Sequence, residues 1–349
     1  MARLAASSPV APTRRQAETR PEYFLLPVRS VLNRCDSERV PFEWTINPYR
    51  GCEFACGYCY ARYTHEYLEL DGADFERKIF VKQNAGPLLA RDLSAKYGAR
   101  ALRSGQAFPE HIAIGTATDP YQPAEEEFGA TSACLKELAR REGLSVSITT
   151  KSHQIVRDLD LLKKIAERSK LLINLTVTTM RVRLARLLEP RAPRPDLRLA
   201  AVATLVKAGL AAGVLAMPIL PGLTDAEEEL EVLARAAREA GALWLLGDVL
   251  FLMPSAQKQF LPFVKEKFPK LAARYRDWYE RKGYAPEAYR EEISARLARL
   301  RRKYGLGAQP REEQERAWRS PQMMLALSEE RSERNAAQTP ARVASCTAQ

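Results

Sequence analysis

Long apolar runs are missing from this sequence. The longest, residues 209–220, is about twelve residues, well short of the roughly 20 that a helix needs to cross a bilayer. Residues 1–16 carry basic side chains but no apolar stretch, so no signal peptide is expected. Cysteine is also sparse, with six in 349 residues, and half of them fall between positions 52 and 59. Three thiols so close cannot pair off among themselves, and nothing marks the chain as secreted, so a disulfide framework is not expected. The expectation is a soluble cytoplasmic protein whose thiols stay reduced.

What is present is an ordinary globular inventory with a basic excess. Apolar residues make up 46% of the chain, enough for a real core, and the length allows one large domain or two of about 150 residues. The net charge is +11 and the isoelectric point about 9.4. The excess is uneven: residues 265–303 hold thirteen Lys and Arg against six Asp and Glu, and residues 181–207 hold seven against two. Such a surface fits a nucleic acid or another polyanion. The solvated faces of amphipathic helices would look the same.

Residues 1–20, rich in Ala, Pro, Ser and Arg, read as a disordered lead-in, and 21–41 as an approach segment that contains Cys35. From Phe42 onward strand and helix signals alternate. Strands are predicted at 42–47, 78–82, 111–115, 144–149, 171–179, 213–219 and 242–252. Helices are predicted at about 86–97, 130–142 and 198–208, and after Thr224, where Thr224-Asp-Ala-Glu227 has capping-box spacing. Ile155, Val156, Leu159, Leu162 and Ile165 recur on a helical period. The 171–179 stretch is mostly apolar or β-branched, as a strand covered on both faces would be. Alternation of this kind implies parallel strands joined by right-handed crossovers, and about six such units fit an open (βα)6 barrel. Beyond Pro254 the pattern is helical, with aromatics among the charges, and residues 307–349, including Cys346, read as a disordered tail. The expected fold is therefore α/β: a partial (βα)6 barrel over 42–253, a helical C-terminal extension over 254–306, and disordered termini.

Chemistry concentrates in Asn47-Pro-Tyr-Arg-Gly-Cys-Glu-Phe-Ala-Cys-Gly-Tyr-Cys-Tyr60, where Cys52, Cys56 and Cys59 have CxxxCxxC spacing. Soft thiolates held this close suit Zn²⁺ or an iron–sulfur cluster. A [4Fe–4S] cubane held by only three cysteines keeps one iron open for a substrate or cofactor. A zinc site built from the same cysteines and His65 is the alternative, although zinc ligands more often come in CxxC pairs.

The cysteine stretch resembles the radical S-adenosylmethionine (radical SAM) superfamily. That resemblance implies that Cys52, Cys56 and Cys59 hold a [4Fe–4S] cluster, with Tyr58 as the aromatic residue before the last ligand. It implies that the open iron takes the amino and carboxylate groups of S-adenosylmethionine (SAM). An electron from the cluster then splits the sulfonium to a 5′-deoxyadenosyl radical that abstracts hydrogen from the substrate. The cofactor carries that chemistry and the protein supplies position and shielding; a reducing donor such as flavodoxin or ferredoxin is implied as well. Asn47-Pro-Tyr-Arg-Gly-Cys52, Tyr58-Cys-Tyr-Ala-Arg62, Thr118-Asp-Pro-Tyr-Gln-Pro123 and Pro218-Ile-Leu-Pro-Gly222 together are similar to the spore photoproduct lyase-like branch, often described as DNA repair photolyase-like. Members related to the lyase itself return hydrogen from a cysteine near the end of the second barrel strand. Here Ile114 to Asp119 contains none, and Cys134 lies further on in a predicted helix. Thymine-dimer repair by that route is therefore in doubt, with Tyr121 as another candidate hydrogen donor.

In parallel βα folds ligands collect beyond the C-terminal ends of strands. Thr118 and Asp119 match, by order along the chain, the loop that meets the SAM amino group in the superfamily, although the Gly-Gly-Glu form of that motif is absent; a turn capped by Asp119 is the alternative. Lys151 opens a helix, where it opposes the positive end of the macrodipole unless a carboxylate relieves it. The SAM carboxylate is a candidate, and a lysine that reaches out to water is the other reading. Asn174 and Thr176 share one face of an otherwise apolar strand and either bond a ribose or are satisfied by neighbouring strands. His65 is placed beside the cluster or on the surface, and Met217 in the core. The functional expectation is a radical SAM enzyme acting on a nucleic acid or other anionic macromolecule. A non-catalytic iron–sulfur or zinc nucleic-acid-binding protein, and a radical SAM enzyme acting on a peptide or small metabolite, are the alternatives.

Overall fold

A computed structural model describes residues 21–36, 40–101 and 110–308. The expectations for residues 1–20 and 309–349, Cys346 among them, fall outside these. Ten strands occur among the described residues: β1 (Glu22–Leu26), β2 (Leu32–Arg34), β3 (Trp44–Ile46), β4 (Tyr49–Arg50), β5 (Lys78–Lys82), β6 (His111–Ile114), β7 (Ser145–Thr150), β8 (Lys170–Thr176), β9 (Ala212–Ile219) and β10 (Leu245–Val249). Seven of them form the main sheet in the order β10–β9–β8–β7–β6–β3–β2. Within it β3 and β6 to β10 run parallel and follow one another in chain order. These six strands are the open barrel that the alternation predicts.

Two expectations are corrected at the barrel's first edge. The predicted strand at 78–82 forms, but it pairs parallel with β1 and antiparallel with β4 in a separate three-stranded sheet. Its strand character is real, but strand character does not say which sheet a strand joins. The 21–41 segment, which carries no readable pattern, supplies β1 and β2. β1 is half-buried at most positions, and β2 is three residues long, paired antiparallel to β3. Neither offers a window long enough for periodicity to show.

The barrel wall explains the sequence of its strands. In β7, Val146 and Ile148 are fully buried, while Ser145, Ser147 and Thr149 between them are half-buried. Alternate side chains point to opposite faces, so the polar set faces the lumen and the apolar set the helices outside. β8 is buried at six of its seven positions, as its mostly apolar sequence predicts. The Leu159–Arg168 and Pro195–Lys207 helices pack on its outer face. The floor of the barrel is Trp244, whose indole lies against Gly213; a Cβ there would meet the ring at 2.3 Å. Gly307 returns to bridge Trp244 and accepts from Leu245 N at 3.3 Å, so the first residues beyond 306 still belong to the fold.

The chain beyond Pro254 is helical as expected, with helices at Pro254–Lys267, Ala272–Tyr279 and Glu287–Tyr304. Phe260, Tyr275 and Tyr279 are its fully buried aromatics. The capping box at Thr224 does not form. Thr224 Oγ1 instead accepts from Leu220 N at 2.8 Å, and Asp225 Oδ1 from Gly222 N at 2.9 Å. The tight turn out of β9 uses both groups, and the Glu227–Glu239 helix starts behind Ala226. Much of the basic excess is paired: Arg299 with Glu227 at 3.1 Å, Lys303 with Glu231 at 2.5 Å, Arg296 with Glu292 at 2.8 Å and Arg181 with Glu229 at 2.9 Å. Among the described residues no helix is long and apolar enough to cross a membrane.

Candidate functional site

The loop carrying the cysteines leaves the C-terminal end of β3 and is braced on every side. Gly51 has φ +89°, and a Cβ there would meet Lys78 O at 2.8 Å and Phe75 O at 2.9 Å, so only glycine fits. Its carbonyl accepts from Thr118 Oγ1 at 2.6 Å and Gln122 Nε2 at 3.2 Å. Cys52 N donates to Phe75 O at 3.0 Å and Gly57 N to Leu188 O at 3.1 Å. Glu53 N donates to Gln122 Oε1 at 2.9 Å, and its carboxylate accepts from Ala124 N at 2.7 Å. Arg62, fully buried, donates to Cys56 O at 3.1 Å and Gly72 O at 3.0 Å and pairs with Glu76 at 2.5 Å. Behind the loop the Phe260 ring meets Tyr58 edge-on at 6.1 Å. A loop fixed this way holds its side chains in place before any ligand arrives.

Cys52 and Cys56 are buried and Cys59 half-buried, and none forms a disulfide. Burial pushes all three thiols up, Cys56 to about 12, and each of Cys52 and Cys56 is raised further by neighbouring cysteines. Cys52 feels the charge of both other thiols and Cys56 that of Cys59, so the three lie together, and soft thiolates held this close suit an iron–sulfur cluster. A bound metal deprotonates such a thiol outright. The donor set therefore fits the [4Fe–4S] group that the resemblance implies. His65 does not join it: its Nε2 bonds Lys78 O at 2.9 Å, and its ring packs against Phe75 and Phe80. It is not a surface histidine but a buried tie within the small sheet's side of the fold.

Lys151, just past the end of β7, reaches back over this loop. Its ammonium lies 5.9 Å from the Tyr58 ring centroid and 3.8 Å from Glu189 Oε1, and its charge pulls the pKa of Cys56 and Cys59 down against their burial. Tyr58 turns its hydroxyl inward to Glu189 and Thr178. Glu189 is fully buried, accepting from Thr178 Oγ1 at 2.6 Å and pairing with Arg198 at 2.5 Å. Burial alone would raise its pKa, but Arg198, Lys151 and the two hydroxyls together bring it down to about 2.

The other predicted positions are engaged by protein. Asp119 accepts from Tyr121 N at 3.0 Å, Thr150 Oγ1 at 2.6 Å and Lys151 N at 2.7 Å, and so ties the end of β6 to the end of β7. Asn174 accepts from Trp244 Nε1 at 3.0 Å, which places it low in the barrel. Thr176, two residues nearer the mouth, is buried on the same face. Tyr121 is 2% exposed with Arg157 over its ring at 5.9 Å. Cys134 is fully buried in the Ala130–Leu138 helix, its thiol pushed up to about 12, and such a thiol is inert. Cys35 follows β2 and is half-buried. Sequence reasoning missed Glu189, Arg198 and the bracing role of Arg62. The first two lie more than 100 residues from the cysteines and carry no local pattern; Arg62 sits within a recognised motif without spacing that reveals its partners.

A family model for the radical SAM superfamily matches residues 46–234. A protein of Mycobacterium tuberculosis with no assigned function is 35% identical over 285 residues, 81% of each chain. One from Methanocaldococcus jannaschii is 30% identical over 185 residues, 53% of this chain and 63% of that one. Among solved structures, a variant of spore photoproduct lyase superposes with a TM-score of 0.60 at 16% identity, covering 82% of this chain and 80% of that chain. Spore photoproduct lyase complexed with dinucleoside spore photoproduct gives 0.59 at 17%, covering 81% and 80%; at that identity the likeness is one of fold. The family match spans more than half the chain and takes in all three cysteines, and this chain belongs to the radical SAM superfamily, enzymes that use a [4Fe–4S] cluster and SAM.

Proposed function

We propose that this radical SAM enzyme holds its cluster on Cys52, Cys56 and Cys59, binds SAM across the barrel mouth, and acts on a nucleic acid or other anionic macromolecule. The observation that carries the cofactor assignment is the donor set: three reduced, largely buried thiols in one braced loop at the end of the first barrel strand. When bound, cluster and SAM supply a 5′-deoxyadenosyl radical. The chain's own part is positioning. Lys151 offers its ammonium to the SAM carboxylate, and Thr176 faces the lumen beside it. Tyr58, Thr118, Asp119 and Asn174 complete the SAM-binding wall, chiefly by holding the loops and floor that shape it. Residues 42–253 form the catalytic core, and 254–306 an extension that supports the cysteine loop through Phe260. A cytoplasmic setting and a donor such as flavodoxin or ferredoxin complete the proposal.

The substrate class rests on the net charge of +11 and on a fold shared with a lyase that binds a dinucleoside lesion. The absence of cysteine from Ile114 to Asp119 separates the reaction from hydrogen return by a thiol at that position. A peptide or small-metabolite substrate is the second reading, favoured by the ion pairs that occupy Arg296, Arg299 and Lys303. Gel shifts of the anaerobically reconstituted protein with single- and double-stranded oligonucleotides across a salt series decide between them. Retained binding at low salt that falls steeply as salt rises is the expected result; binding that is absent or indifferent to salt rejects the polyanion.

A further inference from the structure

Away from the barrel mouth, a cavity of about 340 Å³ lies between the small sheet and three helices, lined by Leu25, Val81, Lys82, Pro87, Phe128 and Ala133 among others. No residue of the cysteine loop lines it. Lys82 ends β5 and lines the cavity; its side chain is largely buried, 8% exposed, while its Nζ keeps some solvent contact and has neither a hydrogen bond nor an ion pair among the described residues. The nearby acid, Asp92, is committed elsewhere: it accepts from Ser30 Oγ and Val31 N at 2.8 Å, from Leu32 N at 3.2 Å, and pairs with Arg91 at 3.0 Å. A buried cation without a counter-charge is costly, and folded proteins rarely leave one so. Burial, with Arg50 nearby, accordingly pulls the Lys82 pKa down to about 8.

The second wall of the cavity is the start of the Ala85–Ala101 helix, seventeen residues long. Asn84, in the left-handed region at φ +54°, delivers the chain into it, and the first helical bond is Leu88 N to Asn84 O at 3.0 Å. The Ala85 and Gly86 N–H groups therefore have no partner within the helix, and the positive end of the macrodipole faces the same space as Lys82. Leu25, Val81 and Phe128, with Pro87 of the helix's own first turn, offer apolar surface.

We infer that this cavity is a binding site for a small organic oxyanion, with the charged group between Lys82 and the Ala85–Ala101 helix start and the carbon part against Leu25 and Phe128. A volume of about 340 Å³ is at the lower end of the range for small-molecule sites and exceeds what a bare phosphate fills. The site is independent of the cluster and of the substrate assigned above.

Isothermal titration of the full-length protein with phenyl phosphate, benzoate and inorganic phosphate tests it. Phenyl phosphate or benzoate binds, and the tighter of the two identifies the ligand as a phosphate ester or a carboxylate; inorganic phosphate binds more weakly than either. Lys82→Met loses roughly tenfold or more in affinity, as removal of a charge-assisted contact implies. The same variant melts no lower than the wild type in phosphate-free buffer, since it removes an unpaired buried charge while keeping an apolar stem. No heat from either organic anion, unchanged affinity in Lys82→Met, or a lower melting temperature of that variant in phosphate-free buffer would each overturn the assignment.

Discussion

Glu189 joins four groups that the chain brings from far apart: Tyr58 in the cysteine loop, Thr178 past β8, Arg198 on a wall helix and Lys151 past β7. Its carboxylate neutralises two cations at the edge of the thiols and fixes the ring next to Cys59. Replacing it with glutamine keeps the shape but leaves Arg198, 1% exposed, without its counter-charge. Breaking a buried pair from one side costs roughly 3–5 kcal/mol, so Glu189→Gln should lower stability by about that much in chemical denaturation near neutral pH. The sign with pH follows from the depressed pKa. The stabilisation is present above the ordinary carboxylate range and is lost as pH falls toward about 2, so the deficit of the variant should shrink in acid. A variant as stable as the wild type at neutral pH would show the network to be incidental. The cysteine motif was legible because its spacing is local; Glu189 was not, because its partner Tyr58 lies 131 residues away.

At the scale of elements, the barrel strands were legible because each must bury one face against helices and show another to a narrow lumen. β7 reads that way from Ser145 to Thr149, and β8, covered on both sides, reads as a nearly continuous apolar run. What periodicity could not convey was partnership, so β5 was indistinguishable from a barrel strand. Nor could it convey how the barrel is closed below. Trp244 does this against Gly213, and the consequence is measurable. Gly213→Ala drives a Cβ into an indole that is 2% exposed, and overpacking of this kind costs about 3 kcal/mol. Gly209→Ala, at φ +83° with nothing within 4 Å, meets only backbone strain of about 1 kcal/mol. Denaturant midpoints of the two variants compare them directly, and equal losses would mean that the floor is not packed as described.

Across the whole molecule, the barrel, the cysteine loop and the helical extension form one support for a small reactive volume. The extension does not merely follow the barrel: Phe260 stands behind Tyr58, and the Glu287–Tyr304 helix packs on the last barrel strand. The net charge was the clearest whole-molecule signal in the composition, and the least decisive, because ion pairs with the Glu227–Glu239 helix absorb part of it and surface pairs of that kind are worth little either way. The central claim is that the braced thiols carry a cluster competent to cleave SAM. The most direct test is 5′-deoxyadenosine formation by anaerobically reconstituted protein supplied with SAM and a strong reductant. Slow cleavage without added substrate, abolished in Cys56→Ala, is the predicted result; protein that holds zinc in place of iron and sulfide, and leaves SAM intact, would contradict it.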